Sequence, residues 1–165
     1  MKMDVRHELP AAVEVAWNEL HSEAYVDAQR QETGTAGEVV SDETQSDGTR
    51  IRRTRITLGR ELPSVAANLI GSKRLAYTLE EEIDSANHRV KWRVIIDRVS
   101  NKVKAAGIFA LEPISDSTCQ RIVSGEIKVS VPLVGGRIEK GIADELTKSY
   151  EATAVFARKW LSERP

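Results

Sequence analysis

The chain has 165 residues, the size of one domain, and is long enough to bury roughly 70% of the surface that its unfolded form exposes. Its 24 Lys and Arg residues balance 25 Asp and Glu residues, for a formal net charge of -1, which excludes a strong overall field toward nucleic acid or anionic lipid. The single cysteine, Cys119, excludes an internal disulfide and a multi-cysteine zinc site, and predicts a small core residue in a reducing cytosol.

The first ten residues, MKMDVRHELP, carry charges where a secretory signal would need an apolar segment. No later stretch approaches the ~18 consecutive apolar residues that read as a membrane span. The sequence therefore predicts a soluble cytoplasmic protein with no stable membrane insertion. It contains no repeat and no linker, so we expect one domain over residues 1–165.

The N-terminal third predicts one strand followed by two short helices. Apolar and charged residues alternate over residues 3–7, the pattern of a half-buried strand, and Pro10 ends it. Between Val13 and Leu20 the apolar residues recur every three or four positions, which indicates a helical face. Ser22 is placed to cap a second helix that runs to about Gln31.

The middle of the chain predicts six strands in a meander. The segments 35–45 and 49–58 are joined at Asp47-Gly48, a strong hairpin signal because glycine tolerates positive φ. Four more alternating rows follow, at Leu75–Ile83, Val90–Ile96, Val103–Leu111 and Cys119–Val131. One face of the predicted sheet is apolar and the other is charged, so the apolar face needs a cover.

The C-terminal segment predicts that cover. From Ile138 to Trp160 the apolar residues keep the three-and-four spacing of an amphipathic helix. Gly135, Gly136 and Gly141 each weaken such a helix by ~1 kcal/mol, which we interpret as close approach to strands or to a ligand. Between the strands, the apolar segment 62–70 predicts a short helix capped by Ser64, which is either a flap over the sheet or a satellite of the core.

This order of elements, together with LPSVAANLIG at 62–71 and VSGEIKVSVPLVGGRIEKGIADEL at 123–146, resembles the bacterial family DUF2505 of the START-like (SRPBCC, helix-grip) superfamily. The resemblance covers nearly the whole chain. It implies an α+β helix-grip fold, in which a curved seven-stranded antiparallel sheet wraps around a long C-terminal helix, with two short helices after the first strand. It also implies a hydrophobic tunnel between sheet and helix. Members of the superfamily bind sterols, phospholipids, hormones or polyketides, and some catalyse, so the fold selects no single function.

The predicted inner faces supply the candidate ligand-binding residues. These are Tyr77, Leu79, Trp92, Val94, Phe109, Leu111, Arg121, Val123, Ile127, Ile142, Leu146 and Tyr150. The alternative for each is that it simply fills the core. Arg121 is the notable polar member, since a guanidinium facing the cavity could bind a carboxylate or phosphate. Alternatively it turns outward or is neutralised by acidic neighbours, for which Glu38 and Asp42 are the candidate inward partners.

No other pattern in the sequence indicates a nucleic-acid, metal or catalytic site. The run RIRRTR at 50–55 lacks interleaved aromatic residues, and Glu80 to Glu82 on the next strand predict cross-strand ion pairs rather than nucleic-acid binding. The three histidines, His7, His21 and His88, lack the spacing of metal ligands. No nucleotide-binding or hydrolase motif is present, so we assign no catalytic residue, no metal and no cofactor.

We therefore expect a carrier or sensor, not an enzyme, that binds or transports a small hydrophobic or lipid-like molecule between the sheet and the C-terminal helix, with movement of segment 62–70 allowing exchange. The first alternative is a polyketide cyclase- or dehydratase-like enzyme that uses Tyr77, Tyr150 or Arg121. The second is an interaction module with a filled core. The sequence names neither the ligand nor the oligomeric state.

Overall fold

A computed structural model describes residues 1–164, which form one antiparallel sheet of seven strands. The strands are β1 (Lys2–Leu9), β2 (Ala36–Thr44), β3 (Arg50–Glu61), β4 (Arg74–Asp84), β5 (Arg89–Ile95), β6 (Val103–Pro113) and β7 (Cys119–Val129). Strands β2 to β7 lie in chain order across the sheet, and β1 pairs with the far side of β7. The two edges are therefore β1 and β2.

Four α-helices accompany the sheet: α1 (Val13–Leu20), α2 (Glu23–Thr33), α3 (Ser64–Ile70) and α4 (Gly135–Ser162). The long helix α4 packs across the inner face against β7 and β1, and α1, α2 and α3 also contact it. The expected helix-grip α+β fold is therefore confirmed. Within residues 1–164, no helix combines the length and the apolar character needed to cross a membrane. The predicted domain ends at Pro165, which lies outside the described residues.

The interior consists of two apolar clusters. The first joins the inner face of β4 to β7 to α3 and to the first half of α4, around Ile127 and Ile142. The second joins α1, α2 and the last turns of α4, around Trp17 and Leu161. Because α4 contributes residues to both clusters, its distance from the sheet determines how closely each cluster packs.

Local signals in the sequence determine several boundaries. The Ser22 hydroxyl accepts a 3.2 Å hydrogen bond from the Tyr25 amide, so the predicted cap of α2 is confirmed. Gly48 has a φ of 90° in the β2–β3 turn, as its hairpin signal requires. The predicted cap at Ser64 is wrong, because α3 begins at that residue and its side chain caps nothing. A side chain at Gly135 would meet the Val129 carbonyl, so close approach accounts for that glycine. The same interpretation is wrong for Gly136, since nothing lies within 4 Å of a Cβ there, and Gly141 meets only ordinary contacts.

The segment 62–70 does not lie over the cavity. Ala66 and Ile70 are buried, and α3 packs on α4, β4 and the short turn Asp97–Val99. The structure thus shows the satellite of the core, and the interpretation of this segment as a flap is wrong. The physical reason is the apolar face of α3, which is buried against α4 at the end of the sheet away from α2.

Candidate functional site

A cavity of about 520 Å³ lies between the sheet, α2 and α4. This volume falls within the usual range of small-molecule sites. Its wall includes buried members of both apolar clusters, such as Leu58 and Tyr25, so the cavity lies where the two clusters meet. Its most exposed lining residues include Asp27 on α2 and Val39 on β2, which places the mouth between α2 and the β2 edge.

The cavity brings together seven of the twelve residues predicted from the sequence. They are Tyr77, Leu79, Trp92, Phe109, Arg121, Leu146 and Tyr150. The other five, Val94, Leu111, Val123, Ile127 and Ile142, are buried in the apolar clusters and do not line it. Four of them belong to the first cluster, in which the first half of α4 packs directly on β7. Leu111 belongs to the second, where α1 packs on β6.

The apolar part of the wall is built around Trp92 on β5. Its indole ring lies over Gly107 and Gly125, which pair with each other across β6 and β7. A side chain on Gly125 would stand 2.6 Å from the ring, so the absence of a side chain there gives the ring its place. Leu79 and Leu146 extend this surface from β4 and α4. This surface of the wall therefore suits the flat apolar part of a ligand.

All three tyrosines of the chain line the cavity: Tyr25 from α2, Tyr77 from β4 and Tyr150 from α4. Their hydroxyl groups form no hydrogen bond with any described residue. Burial raises the pKa of Tyr25 and of Tyr150 to about 12 each, and it also raises the pKa of Tyr77. At neutral pH all three are therefore protonated hydrogen-bond donors without a protein partner.

Arg121 on β7 is the buried cation of the wall. Its Nη1 atom donates a 3.2 Å hydrogen bond to the Thr153 hydroxyl, and its Nη2 atom donates one of 2.7 Å to the Tyr150 carbonyl oxygen. Nη2 also lies 3.3 Å from Nδ1 of His7, its register partner on β1. Because arginine only donates, His7 accepts at Nδ1 and donates from Nε2 to Glu151 at 3.0 Å. Among residues 1–164, no carboxylate bonds to Arg121 directly.

The charge of Arg121 acts on the neighbouring phenols. Its guanidinium carbon lies 6.0 Å from the centre of the Tyr150 ring. Its positive charge lowers the pKa of Tyr25 and of Tyr150, opposing the larger effect of burial. Burial also lowers the pKa of Arg121 itself. The cation therefore strengthens these two hydroxyls as donors to an oxygen atom of a ligand.

Arg121 faces the cavity, as predicted. The two acidic residues predicted to pair with it do not contact it. Glu38 is exposed, and Asp42 accepts hydrogen bonds from Arg50 on β3 instead. Asp42 lines the cavity and Glu38 does not, and both lie on the edge strand β2, which β3 to β6 separate from β7.

The basic run at 50–55 is paired throughout, mostly across strands, as predicted. Its four arginines bind Asp42, Glu81, Glu80 and Asp97 in turn. The pairs lie on both faces of the sheet, because Arg50 and Arg52 line the cavity whereas Arg53 and Arg55 do not. Neither pair leaves an arginine free for a phosphate, so the structure adds nothing in favour of nucleic acid.

The histidines and the cysteine take separate positions. His21 lines the cavity and donates a 2.8 Å hydrogen bond from Nδ1 to the Trp17 carbonyl oxygen, and Nε2 of His88 lies 2.9 Å from a carboxylate oxygen of Glu14. Cys119 is fully buried, which confirms it as a core residue, and burial raises the pKa of its thiol to about 11. Over residues 1–164, no group of three or more His, Cys, Asp and Glu side chains is placed to hold a metal.

Several cavity residues escaped the sequence analysis. They are Tyr25, Arg52, Thr54, Glu81 and Thr153. For the strand residues a signal existed, since Glu81 is in phase with Tyr77 and Leu79, and Thr54 is in phase with Ile56. Glu81 breaks an otherwise apolar row, and Thr54 continues inward the polar row of Arg50 and Arg52. Polar residues in inward positions are unusual in a filled core.

The family model described as "Protein of unknown function (DUF2505)" matches residues 4–161. The chain belongs to this family. No curated protein sequence matches this DUF2505 protein. Its predicted membership of the family is thus confirmed over nearly the whole chain.

Solved structures of the same fold resemble this DUF2505 protein over almost its full length. The Zhui aromatase/cyclase from Streptomyces sp. R1128 superposes with a TM-score of 0.70 at 12% identity, covering 99% of this chain and 94% of that one. Norcoclaurine synthase from Thalictrum flavum, in complex with dopamine and hydroxybenzaldehyde, gives 0.63 at 16% identity, covering 100% and 88%. A START superfamily protein from Mycobacterium smegmatis gives 0.58 at 14% identity, covering 96% and 98%. At these identities the likeness establishes the START-like fold, and function must be argued from the site.

Proposed function

We propose that this protein binds a small, largely hydrophobic or lipid-like molecule with a polar end, and acts as its carrier or sensor. The observation that carries the proposal is the cavity of about 520 Å³ between the sheet and α4. A filled interior, which the interaction-module alternative needs, is not what the described residues form. Ligand binding in proteins of the same fold, such as the synthase complexed with dopamine and hydroxybenzaldehyde, supports the same conclusion.

The wall chemistry decides what kind of ligand fits. Burial of an apolar body against Trp92, Leu79 and Leu146 would contribute ~25 cal/mol per Å² of covered surface. A wholly apolar ligand would also cover the unpartnered hydroxyls of Tyr25 and Tyr150 and displace their water, at a cost of about 1–3 kcal/mol each. An oxygen atom placed at these hydroxyls avoids that cost, so the ligand carries a polar end.

We also propose that residues 1–165 act as a single START-like ligand-binding domain in the cytoplasm. One continuous sheet joins the first strand to the last, and α4 spans both clusters, which supports a single unit. The free thiol of Cys119 supports a reducing compartment.

The test is to fill the cavity. Leu79→Trp adds bulk on β4 inside the cavity wall. Ile108→Trp adds the same residue on β6, but on the outer face of the sheet beside Lys91 and Ser124. Each protein is purified gently from its own host, weighed by native mass spectrometry and extracted to identify any released molecule. We expect one adduct per chain in the wild type and in Ile108→Trp, and none in Leu79→Trp.

Two results would overturn the proposal. One is an adduct that survives in Leu79→Trp, since the molecule would then bind elsewhere. The other is a bare mass for the wild type together with no thermal shift on adding fatty acids, sterols or polyketide-like aromatics.

One observation favours a second candidate, a cyclase- or dehydratase-like enzyme. Protonated Tyr25 and Tyr150, strengthened by the charge of Arg121, are suited to stabilise an enolate oxygen. The likeness to an aromatase/cyclase adds support. The check is deuterium uptake by an aromatic β-diketone in heavy water, which an enolate-stabilising site accelerates and a carrier leaves unchanged.

A further inference from the structure

The cavity contains a carboxylate with one free oxygen, that of Glu81 on β4. Arg52 donates both of its hydrogen bonds to Oε1 of Glu81, at 3.2 Å from Nε and 2.8 Å from Nη2. Among residues 1–164 no group donates to the second oxygen, Oε2. Only 16% of the Glu81 side chain is exposed, so the charge sits in the wall and not on the surface.

Glu81 faces the same space as the aromatic wall. It pairs with Arg52 on one side and with Trp92 on the other, and these three residues form one inward row across β3, β4 and β5. Its negative charge adds to the larger effect of burial in raising the pKa of Tyr77 and Tyr150, which line the same cavity. Oε2 is therefore a charged hydrogen-bond acceptor in a wall that also carries phenol donors.

Two of the charged groups in the wall, Arg121 and Glu81, have opposite effects on the pKa values of the tyrosines. Arg121 acts on Tyr25 and Tyr150, and Glu81 acts on Tyr77 and Tyr150, so Tyr150 lies within reach of both charges. Arg121 belongs to β7 and Glu81 to β4, three strands apart in the sheet. The cavity thus has a donor end, at Tyr25 and Tyr150 beside Arg121, and an acceptor end at Glu81.

We propose that the cavity selects ligands that carry a hydroxyl or amine for Glu81 Oε2 and a carbonyl or carboxylate oxygen for the Tyr25 and Tyr150 hydroxyls, separated by a flat apolar body. The inference rests on the proposed function, because it specifies what the same cavity binds. The chemical class is that of hydroxylated aromatic acids and ketones. Single-headed fatty acids and sterols satisfy one end and leave the other without a partner.

The experiment compares two probes that differ in one hydrogen-bond donor. They are a hydroxynaphthoic acid, with its hydroxyl on the ring opposite the carboxylate, and the methyl ether of the same compound. Calorimetry gives the ratio of their affinities for each protein. A hydrogen bond to a charged acceptor is worth roughly a tenfold preference or more, so the wild type is expected to bind the phenol at least tenfold more tightly.

Glu81→Gln removes the negative charge at this end of the cavity. Arg52 only donates, so it keeps the amide oxygen at the position of Oε1, and the amide nitrogen takes the position of Oε2. An acceptor becomes a donor, and the preference for the phenol is expected to fall to about one or to reverse. Glu80→Gln is the matched control, because Glu80 accepts 2.8 Å hydrogen bonds from Arg53 and Arg93 on the outer face.

Each outcome has a definite meaning. If the wild type binds neither probe, the inference is overturned, while the proposed function is decided separately by the adduct and the thermal shifts. If both probes bind equally, or if Glu81→Gln keeps the wild-type ratio, the inference is overturned while ligand binding stands. Should Glu81→Gln not fold, Glu81→Asp withdraws the carboxylate by one methylene while keeping its charge, and it must also lower the ratio.

Discussion

Nη2 of Arg121 and the carbonyl oxygen of Tyr150 are joined by a 2.7 Å hydrogen bond that fastens β7 to α4 beside the cavity. The same carbonyl accepts a 3.0 Å bond from the Thr153 hydroxyl. The nearest compensating charge, Glu151, reaches Arg121 only through His7. Arg121 is thus held in place by neutral groups, which leaves its positive charge available to the cavity.

The first prediction concerns Arg121→Met. Replacement of an incompletely paired buried charge by an apolar residue of similar length removes its desolvation cost, so the free energy of unfolding should change by less than ~2 kcal/mol. Affinity for naphthoic acid should fall about tenfold, because the donor end loses its cation. Denaturant titration and calorimetry measure the two effects. A stability loss beyond ~4 kcal/mol with unchanged affinity would make Arg121 a structural residue only.

The sequence predicted the framework well because the framework depends on periodicity. Alternation over β4 to β7 follows from one covered and one charged face, and the spacing of Ile138, Ile142 and Leu146 follows from the face that α4 buries. Element ends were predicted where a local device exists, as at Ser22 and Gly48. Each of these features depends only on residues that are close to it in the sequence.

The cavity was predicted only in part because its extent depends on distances between elements. Periodicity places Ile127 and Tyr77 alike on the inner face, yet α4 covers the first and stands away from the second. Periodicity also cannot show that α2 stands across from β2 and contributes Tyr25 to the wall. Glu81 was missed because a charged residue in an inward position looks like a break in the strand pattern.

The second prediction uses the three tyrosines as reporters of the cavity. An unfolded tyrosine ionises near pH ~10, whereas burial raises the pKa of Tyr25 and Tyr150 to about 12. Because the folded values are the higher ones, their contribution to stability is complete below pH ~10. It is lost as the pH rises from ~10 toward 12, by up to ~1.4 kcal/mol per pH unit for each tyrosine.

Ultraviolet titration of tyrosinate tests this directly. The native protein should show no phenol ionisation near pH ~10, while the protein in guanidinium should titrate there in full. Since the chain has no tyrosine outside the cavity wall, a native phase near pH ~10 would show that water reaches the hydroxyls freely.

The third prediction compares two glycines. In Gly125→Ala the new methyl group would stand 2.6 Å from both the Trp92 ring and the Ala106 carbonyl oxygen, so the ring must leave its place. We expect a loss of about 1–3 kcal/mol in the free energy of unfolding and weaker binding of naphthoic acid. Gly136→Ala is the control, since nothing lies within 4 Å of its new methyl group.

In the control the effect has the opposite sign. Gly136 lies in the first turn of α4, where alanine is favoured by up to ~1 kcal/mol and restricts the unfolded chain. Gly136→Ala should therefore be as stable as the wild type or more stable, with unchanged affinity. Equal losses of stability in the two variants would mean that the Trp92 ring does not depend on the absence of a side chain at Gly125.

The fourth prediction concerns how a ligand enters. The mouth lies between α2 and β2, and Arg30 on α2 closes one end of it by donating a 3.3 Å hydrogen bond to the Gly37 carbonyl oxygen. Without this contact the last turn of α2 separates from β2 more easily. Arg30→Gln should therefore raise the dissociation rate of a bound naphthoic acid several-fold in stopped-flow measurements.

A second arginine distinguishes α2 from α3 as the moving part. The Arg98 guanidinium lies against Gly71, which ends α3, so Arg98→Gln removes a contact at the end of that helix. Because α3 packs in the core and lines no part of the cavity, this variant should leave the dissociation rate unchanged. Faster release from Arg98→Gln than from Arg30→Gln would place the opening at α3, against the position of the mouth between α2 and β2.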